Sequence, residues 1–155
     1  MYRNILVPLD GSKLAECVLP HVETLVRASE GKVIFVRVVE PCCPTAEDAG
    51  DYAFPDEVVR RIEAKNSADA DSYLKQVIAK GRYDAPRAEA VVLNGTAVET
   101  LAEYAAQNHV DLIVMATHGL SGVSRWVWGS VADRILRSAR IPVLIVRPPG
   151  SEPGI

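Results

Sequence analysis

The segment that decides the fold of this chain reads Met115-Ala116-Thr117-His118-Gly119-Leu120-Ser121-Gly122-Val123-Ser124-Arg125-Trp126-Val127-Trp128-Gly129-Ser130. An apolar run at residues 111–115 leads into it, and a helical apolar pattern at residues 131–139 leads out of it. The sequence therefore predicts a strand, a glycine-containing loop and a helix in succession. N–H groups in the first turn of such a helix have no intrahelical acceptor and attract anions, and glycines let the backbone approach a ligand closely. The segment is interpreted as a phosphate-binding loop; the alternative is a long β–α connection whose glycines only form turns.

The composition is typical of one soluble globular domain. The chain has 155 residues, of which 48% are hydrophobic and 24% are charged, as expected for a single well-packed domain. Its formal net charge of −3 disfavours nucleic acid as a partner, because binding to a phosphate backbone needs a basic surface. No apolar run is long enough to span a membrane, and the N-terminal residues lead directly into a strand-like run without a signal peptide. We therefore expect a cytoplasmic protein that binds neither membranes nor nucleic acids.

The chain has three cysteines, Cys17, Cys42 and Cys43. Their odd number and their spacing fit neither a disulfide framework nor a metal site. Cys17 falls in a helical apolar pattern and is predicted to pack in the core. Cys42 and Cys43 are expected to be reduced thiols in a loop, as is usual in a cytosolic protein; a redox role for this pair is the alternative.

Apolar runs and helical periods alternate along the chain. Strand-like runs are found at residues 2–9, 32–39, 87–93, 111–115 and 141–147, and a helical pattern follows each of the first four. Pro20 falls inside the first helical pattern and predicts a bend there, and Thr96 and Glu99 have the form of a capping box before the third. Residues 40–55, which precede the helical pattern at residues 56–80, are interpreted as a mobile loop, and residues 148–155 as a disordered tail.

Five strands alternating with four helices predict an α/β domain: a five-stranded parallel sheet with helices on both faces. Right-handed crossovers leave two common strand orders, of which we predict the Rossmann-like order 3-2-1-4-5. In that order the chain reverses direction between strands one and four, and ligands bind at such a switch point. Residues 9–12 leave strand one and residues 116–119 leave strand four. The topology therefore brings Asp10 and the glycine loop into one crevice.

At this point the sequence resembles the universal stress protein family, in its ATP-binding branch. The resemblance extends from Ile5-Leu6-Val7-Pro8-Leu9-Asp10-Gly11-Ser12 to Ile141-Pro142-Val143-Leu144-Ile145-Val146-Arg147. It implies one domain at residues 1–147 with a fold like that of the adenine nucleotide alpha hydrolases. The family's nucleotide signature is Gly, two residues, Gly, nine residues, then Gly-Ser or Gly-Thr. Gly119 and the pair Gly129-Ser130 match its last two thirds, whereas Ala116 occupies the first glycine position.

The resemblance implies a site for an adenine nucleotide. The expected ligand is ATP, with AMP as the alternative, and Mg²⁺ is an optional partner of the nucleotide. Asp10 would reach the ribose or the adenine edge, and the backbone of Val38 would meet the adenine ring. Gly119, Gly129 and Ser130 would hold the phosphates. The predicted binding residues are Pro8, Asp10, Val38, Ala116, His118, Gly119, Gly122, Gly129, Ser130 and Val131. Two simpler interpretations stay open, namely that Asp10 only forms a turn and that Ser130 only caps a helix.

Neither a catalytic set nor a metal-binding set is recognised beside these residues. His118 has no partnered acid or nucleophile, so we interpret it as a loop residue near the phosphates and not as a catalytic base. The sequence contains no P-loop motif and no acidic pair placed to hold a metal for hydrolysis. Binding of the nucleotide, and not its turnover, is therefore the expected activity.

The leading hypothesis is a cytoplasmic, homodimeric, nucleotide-dependent regulator of the stress-response type. Strand five would be an exposed apolar edge, and antiparallel pairing with a second copy through residues 142–147 would cover it. Two alternatives stay open. One is a weak ATPase or autophosphorylating enzyme, and the other is a dimeric interaction module whose nucleotide site has decayed, for which Ala116 is the best support.

Overall fold

Strand β1 (Asn4–Pro8) lies at the centre of the sheet and pairs with a parallel strand on each side. The computed structural model describes residues 2–41, 54–83, 86–117 and 129–148. The other strands are β2 (Lys32–Val39), β3 (Ala88–Asn94), β4 (Leu112–Ala116) and β5 (Val143–Val146). The helices are α1 (Leu19–Ser29), α2 (Asp56–Lys80), α3 (Ala97–Gln107) and α4 (Ser130–Ser138), and a 3₁₀ turn at Ala15–Val18 precedes α1.

All strand pairs are parallel, and the strand order is β3-β2-β1-β4-β5. The predicted fold class and strand order are therefore confirmed. The order reverses between β1 and β4, so the chain segments that leave these two strands diverge and open a space at the carboxyl edge of the sheet.

The sheet separates two hydrophobic layers, because successive side chains of a strand point to opposite faces. Ile5 and Val7 of β1 pack with the helices α1 and α2, whereas Leu6 packs with α3 and α4. Strands covered on both faces are expected to be apolar throughout, as the run from Ile5 to Val7 is. Phe35 and Leu74 complete the first layer, and all five side chains are almost wholly removed from solvent.

Pro20 marks the start of a helix and does not bend one. The α-helix begins at Leu19, with Pro20 in its first turn, and the preceding residues Ala15–Val18 form the 3₁₀ turn. A first-turn N–H has no intrahelical acceptor, so proline loses no hydrogen bond at this position. The predicted bend inside one longer helix is therefore wrong.

The predicted capping box of the third helix is also wrong. Thr96 occupies the N-cap position of α3, but its side chain makes no capping hydrogen bond. The N–H of Ala97 instead donates to Oε1 of Glu40 at 3.2 Å. Glu99 pairs with Arg134 of α4, and its pKa is lowered, first by a hydrogen bond from its own backbone and then by Arg134. A side chain distant in sequence thus caps the helix.

Strand β5 lies at the edge of the sheet, as predicted, but covers only Val143–Val146. Pro142 has no N–H to donate, which explains why the ladder begins after it. The predicted mobile loop and the predicted tail fall almost entirely in residues 42–53 and 149–155, outside the described residues. Within the described part of the chain, every helix is too short or too polar to cross a membrane.

Candidate functional site

A cavity of about 430 Å³ opens at the switch point between β1 and β4. The carboxyl ends of β1, β2 and β4 and the first turn of α4 form its walls. Its lining residues are Pro8, Leu9, Asp10, Ala15, Val36, Arg37, Val38, Glu40, Ala97, Leu101, Met115, Ala116, Thr117, Gly129, Ser130, Val131 and Ala132. The crevice that the strand order predicts is therefore present, and its volume is that of a small-molecule site.

Seven of the ten binding residues predicted from the sequence line this one cavity. They are Pro8, Asp10, Val38, Ala116, Gly129, Ser130 and Val131. The remaining three, His118, Gly119 and Gly122, lie outside the described residues. Four of them end or follow strands whose carboxyl ends meet at the same edge of the sheet, and the other three begin α4, whose N-cap is hydrogen-bonded to the residue after β4. Their contacts with a ligand stay a prediction.

The first turn of α4 faces the cavity. Gly129 is its N-cap, and its N–H donates to the carbonyl oxygen of Thr117 at 2.8 Å. Ser130 is the first residue of the helix, so the interpretation of Ser130 as the helix cap is wrong. The N–H groups of Ser130, Val131 and Ala132 have no intrahelical acceptor, and all three residues line the cavity. The positive end of the helix dipole therefore lies at the cavity wall, where it attracts an anion.

Asp10 both forms a turn and lines the cavity. Its Oδ1 accepts the N–H of Ser12 at 2.9 Å, and Oγ of Ser12 accepts the N–H of Ala15 at 3.1 Å. Between them Gly11 adopts a φ of +88°, which residues with a side chain rarely adopt. The turn-forming interpretation of Asp10 is therefore confirmed, and its place in the cavity wall keeps the binding role open.

The cavity lining also includes two charged residues, Arg37 and Glu40, that the sequence analysis did not single out. The ionisable residues among the described lining are Asp10, Arg37 and Glu40. Arg37 could have been noticed as the one charged residue within the apolar run of residues 33–39. Glu40 and Thr117 carry no comparable signal in the sequence, because their position becomes clear only when the strand ends meet.

Arg37 is held by an aromatic ring from α2. Its guanidinium carbon lies 5.5 Å from the ring centroid of Tyr73, a cation–π distance. Oη of Tyr73 donates to Oε1 of Glu16 at 3.3 Å. Burial, followed by the charge of Glu16, raises the pKa of Tyr73 above its ordinary value. Tyr73 therefore stays a neutral hydrogen-bond donor at physiological pH.

Ala116, which replaces the first glycine of the nucleotide signature, belongs to the hydrophobic core. It is 8% exposed and packs in the same layer as Val114 and Val146. It is also the last residue of β4, with Val146 as its partner in β5. The methyl group at this position therefore contributes to packing of the sheet.

The chain is similar to known proteins over nearly its whole length. A universal stress protein of Methanocaldococcus jannaschii is 27% identical over 153 residues, which cover 98% of this chain and 86% of that protein. A second M. jannaschii protein, whose biochemical function was assigned from its structure, superimposes with a TM-score of 0.79 at 24% identity, over 95% of this chain and 96% of that one.

A universal stress protein of Arabidopsis thaliana, solved with AMP bound, has a TM-score of 0.60 at 17% identity and covers 96% of this chain and 93% of its own. At these identities the two solved structures show a common fold. The sequence relationship is shown independently, because the model of the universal stress protein family matches residues 1–147. Since that match includes every strand and helix of the described fold and all the residues that line the cavity, the chain belongs to the universal stress protein family.

Proposed function

We propose that this protein binds ATP as a homodimeric, cytoplasmic regulator of a stress response, and that binding is its primary activity. The observation that carries the proposal is the first turn of α4, whose N–H groups open into a cavity at the switch point of the sheet. Such a turn provides donors and a positive dipole for phosphate oxygens.

The rest of the cavity suits a nucleoside. Val36, Val38, Leu101 and Met115 supply an apolar wall for the flat face of a base. Asp10 supplies a carboxylate that can accept hydrogen bonds from ribose hydroxyl groups. An adenine nucleotide is favoured as the ligand because the A. thaliana neighbour was solved with AMP bound.

ATP is proposed over AMP because of the phosphate-binding segment. The spacing from Gly119 to the pair Gly129-Ser130 matches the last two thirds of the nucleotide signature of the family's ATP-binding branch. Within the described residues, no three side chains of His, Cys, Asp or Glu converge to hold a metal ion. Mg²⁺ bound with ATP is commonly coordinated by phosphate oxygens, by water and by one or two carboxylates.

The proposal is tested by calorimetric titration of nucleotide-free protein with ATP, with and without Mg²⁺, and with AMP. Gly129→Val places a branched side chain at the N-terminus of α4, where its backbone angles, φ −55° and ψ 140°, are allowed for valine. We expect ATP affinity to fall by at least about tenfold in Gly129→Val. Ser138→Ala, the matched control, removes a hydroxyl at the other end of α4, outside the cavity lining, and should change affinity by less than about threefold.

Absence of binding by the wild-type protein would contradict the proposal and favour the interaction-module alternative. Phosphate release is measured in the same samples. Metal-dependent turnover of ATP that disappears in Asp10→Ala would favour the enzyme alternative instead.

The homodimer is proposed to form through β5. This strand lies at the sheet edge, and Leu144 at its centre is 37% exposed. Antiparallel pairing of residues 142–147 with the same strand of a second copy would provide hydrogen-bond partners for the backbone groups of this edge. It would also cover Leu144. Leu144→Asp should convert a dimer to a monomer in sedimentation velocity. Leu136→Asp, at a 42% exposed position on α4, is the matched control, and a wild-type monomer would contradict the proposal.

A further inference from the structure

A cluster of five residues lies behind the nucleotide cavity and takes no part in the glycine signature. It consists of Asp10, Gly11, Glu16, Arg37 and Tyr73, and we call it the Arg37 cluster. Its members come from the turn after β1, from the 3₁₀ turn, from β2 and from α2. Asp10 and Arg37 also line the cavity, so the cluster connects the cavity wall to α2.

Arg37 is packed between a ring and a turn. On one side its guanidinium lies over the ring of Tyr73, 5.5 Å from the centroid. It also lies against Gly11, where an added Cβ would come within 3.0 Å of one guanidinium nitrogen. The positive φ of Gly11 favours glycine at this position. Arg37 is therefore close enough to the turn to influence its position.

A series of hydrogen bonds also links Tyr73 to the turn at residues 10–12. Tyr73 donates to Glu16, and the N–H of Glu16 donates to the carbonyl oxygen of Ser12 at 3.4 Å. Ser12 in turn donates its N–H to Asp10. Residues 10–12 are thus contacted by Arg37 of β2 and are linked to Tyr73 of α2 through Glu16. This turn carries the carboxylate of the cavity.

Arg37 belongs to a different layer from the first turn of α4, although both line the cavity. Phe35, two residues earlier in β2, packs in the layer of α1 and α2, and Arg37 shares its face and contacts α2. Ala132 of α4 packs in the opposite layer. The guanidinium and the first turn of α4 therefore approach the cavity from different layers.

We propose that Arg37 is a positioning residue of the nucleotide site, which acts through Asp10 and thereby sets the preference for ribose over deoxyribose. This inference rests on the proposed function. The guanidinium, stacked on Tyr73, fixes residues 10–12 so that the carboxylate of Asp10 meets the ribose hydroxyl groups. A carboxylate that is free to shift would still bind the nucleotide through the base and the phosphates but would lose the hydroxyl contact.

The test compares the affinities for ATP and dATP by calorimetry. We expect wild-type protein to bind ATP at least about fivefold more tightly than dATP. A difference of this size is expected for one additional hydrogen bond to a charged group. Arg37→Met should abolish most of this preference, and so should Asp10→Asn. The double variant should have the same ratio of ATP to dATP affinity as either single variant. Such non-additivity is the signature of one residue acting through the other.

Two further variants separate stacking from charge. Arg37→Lys keeps the charge but cannot stack as a planar group, so it should lose the preference as Arg37→Met does. Tyr73→Phe keeps the ring and loses only the hydroxyl, so it should keep most of the preference. Thermal unfolding of every variant establishes that each is folded at the temperature of titration.

Four outcomes overturn the inference. Equal weakening of ATP and dATP by Arg37→Met, persisting in the Asp10→Asn background, would mean that Arg37 contacts the nucleotide itself. Unchanged affinities for both nucleotides in Arg37→Met, or a wild type without preference, would mean that the cluster only stabilises the fold. If wild-type protein binds neither nucleotide, the proposed function fails and this inference fails with it. If wild-type protein binds nucleotide and Arg37→Met leaves the ratio of ATP to dATP affinity unchanged, only the inference is overturned.

Discussion

The N–H of Gly129 donates a hydrogen bond to the carbonyl oxygen of Thr117 at 2.8 Å, which joins the residue after β4 to the residue before α4. Thr117 also donates its own N–H to the carbonyl oxygen of Val146 at 2.9 Å, so the junction is attached to β5. Thr117 and Gly129 are therefore joined to each other and to the sheet. The position of the first turn of α4 depends on this junction.

This junction predicts that the fold tolerates changes in the segment between its ends. Replacing residues 119–127 with an alanine–serine segment of equal length should change the free energy of unfolding by less than about 1 kcal/mol, because the hydrogen bonds of Thr117 and Gly129 on either side are kept. ATP affinity should fall by at least about tenfold, since Gly119 and Gly122 are removed with their spacing. Urea unfolding and calorimetry measure the two effects, and a loss of several kcal/mol in stability would contradict the prediction.

Gly11→Ala should destabilise the protein by about 1–2 kcal/mol. The φ of +88° disfavours any side chain, and the new Cβ would lie 3.0 Å from a guanidinium nitrogen of Arg37. Gly129→Ala is the matched control, because Gly129 has a φ of −55° and should tolerate alanine within about 0.5 kcal/mol. Equal effects of the two substitutions in urea unfolding would show that the positive φ is not the cause.

Two partly buried tyrosines should respond differently to loss of their hydroxyl groups. Oη of Tyr83 is buried and has no hydrogen-bond partner among the described residues, whereas Oη of Tyr73 donates to Glu16. Tyr83→Phe should therefore leave the free energy of unfolding unchanged or raise it by about 1 kcal/mol, while Tyr73→Phe should lower it by about 1 kcal/mol. The ring of Tyr83, 5.2 Å from that of Phe35 between centroids, is retained. A clear loss of stability in Tyr83→Phe at neutral pH would be the contrary result.

Stability should fall in alkaline solution, and these tyrosines should contribute to the fall. Burial is the main cause that raises the pKa of both Tyr73 and Tyr83 above the ordinary value. Above about pH 10 the unfolded chain releases their protons while the folded chain retains them, so the unfolded state binds fewer protons and stability decreases with pH. Their contribution is fully present below that pH.

The measurement is urea unfolding of wild-type protein and of the double variant Tyr73→Phe/Tyr83→Phe between about pH 8 and 11. The free energy of unfolding should fall less steeply with pH in the double variant, because phenylalanine has no proton to lose. Parallel declines in the two proteins would assign the alkaline instability to other groups.

The strand order could be predicted because its determinants are local and repeated. Apolar runs such as Ile5–Val7, separated by helical periods, fix an alternating parallel sheet, and the handedness of the crossovers leaves few orders. Convergence of Asp10 and the segment after β4 then follows from the order, whereas Val38 and Ser130 were indicated by the resemblance to the family. This part of the site was therefore accessible from the sequence.

The helix caps could not be predicted in the same way. Thr96 and Glu99 match a local motif, yet the N–H of Ala97 is satisfied by Glu40 and Glu99 is engaged by Arg134. Both partners are brought in by tertiary structure, which local spacing does not describe. Arg37 was missed for the same reason, because its interaction with Tyr73 depends on how α2 packs against β2.

The sheet divides the protein into two hydrophobic layers, and the cavity opens at the edge where both are accessible. A nucleotide held by Asp10 on one side and by the first turn of α4 on the other would touch both layers at once. The bound nucleotide would connect the layer of α1 and α2 to the layer of α3 and α4. This connection would be additional to the one that the sheet provides. The ligand would then act as a removable cross-link between the layers, and the stiffness of the whole domain, more than the shape of any one loop, would report whether nucleotide is bound.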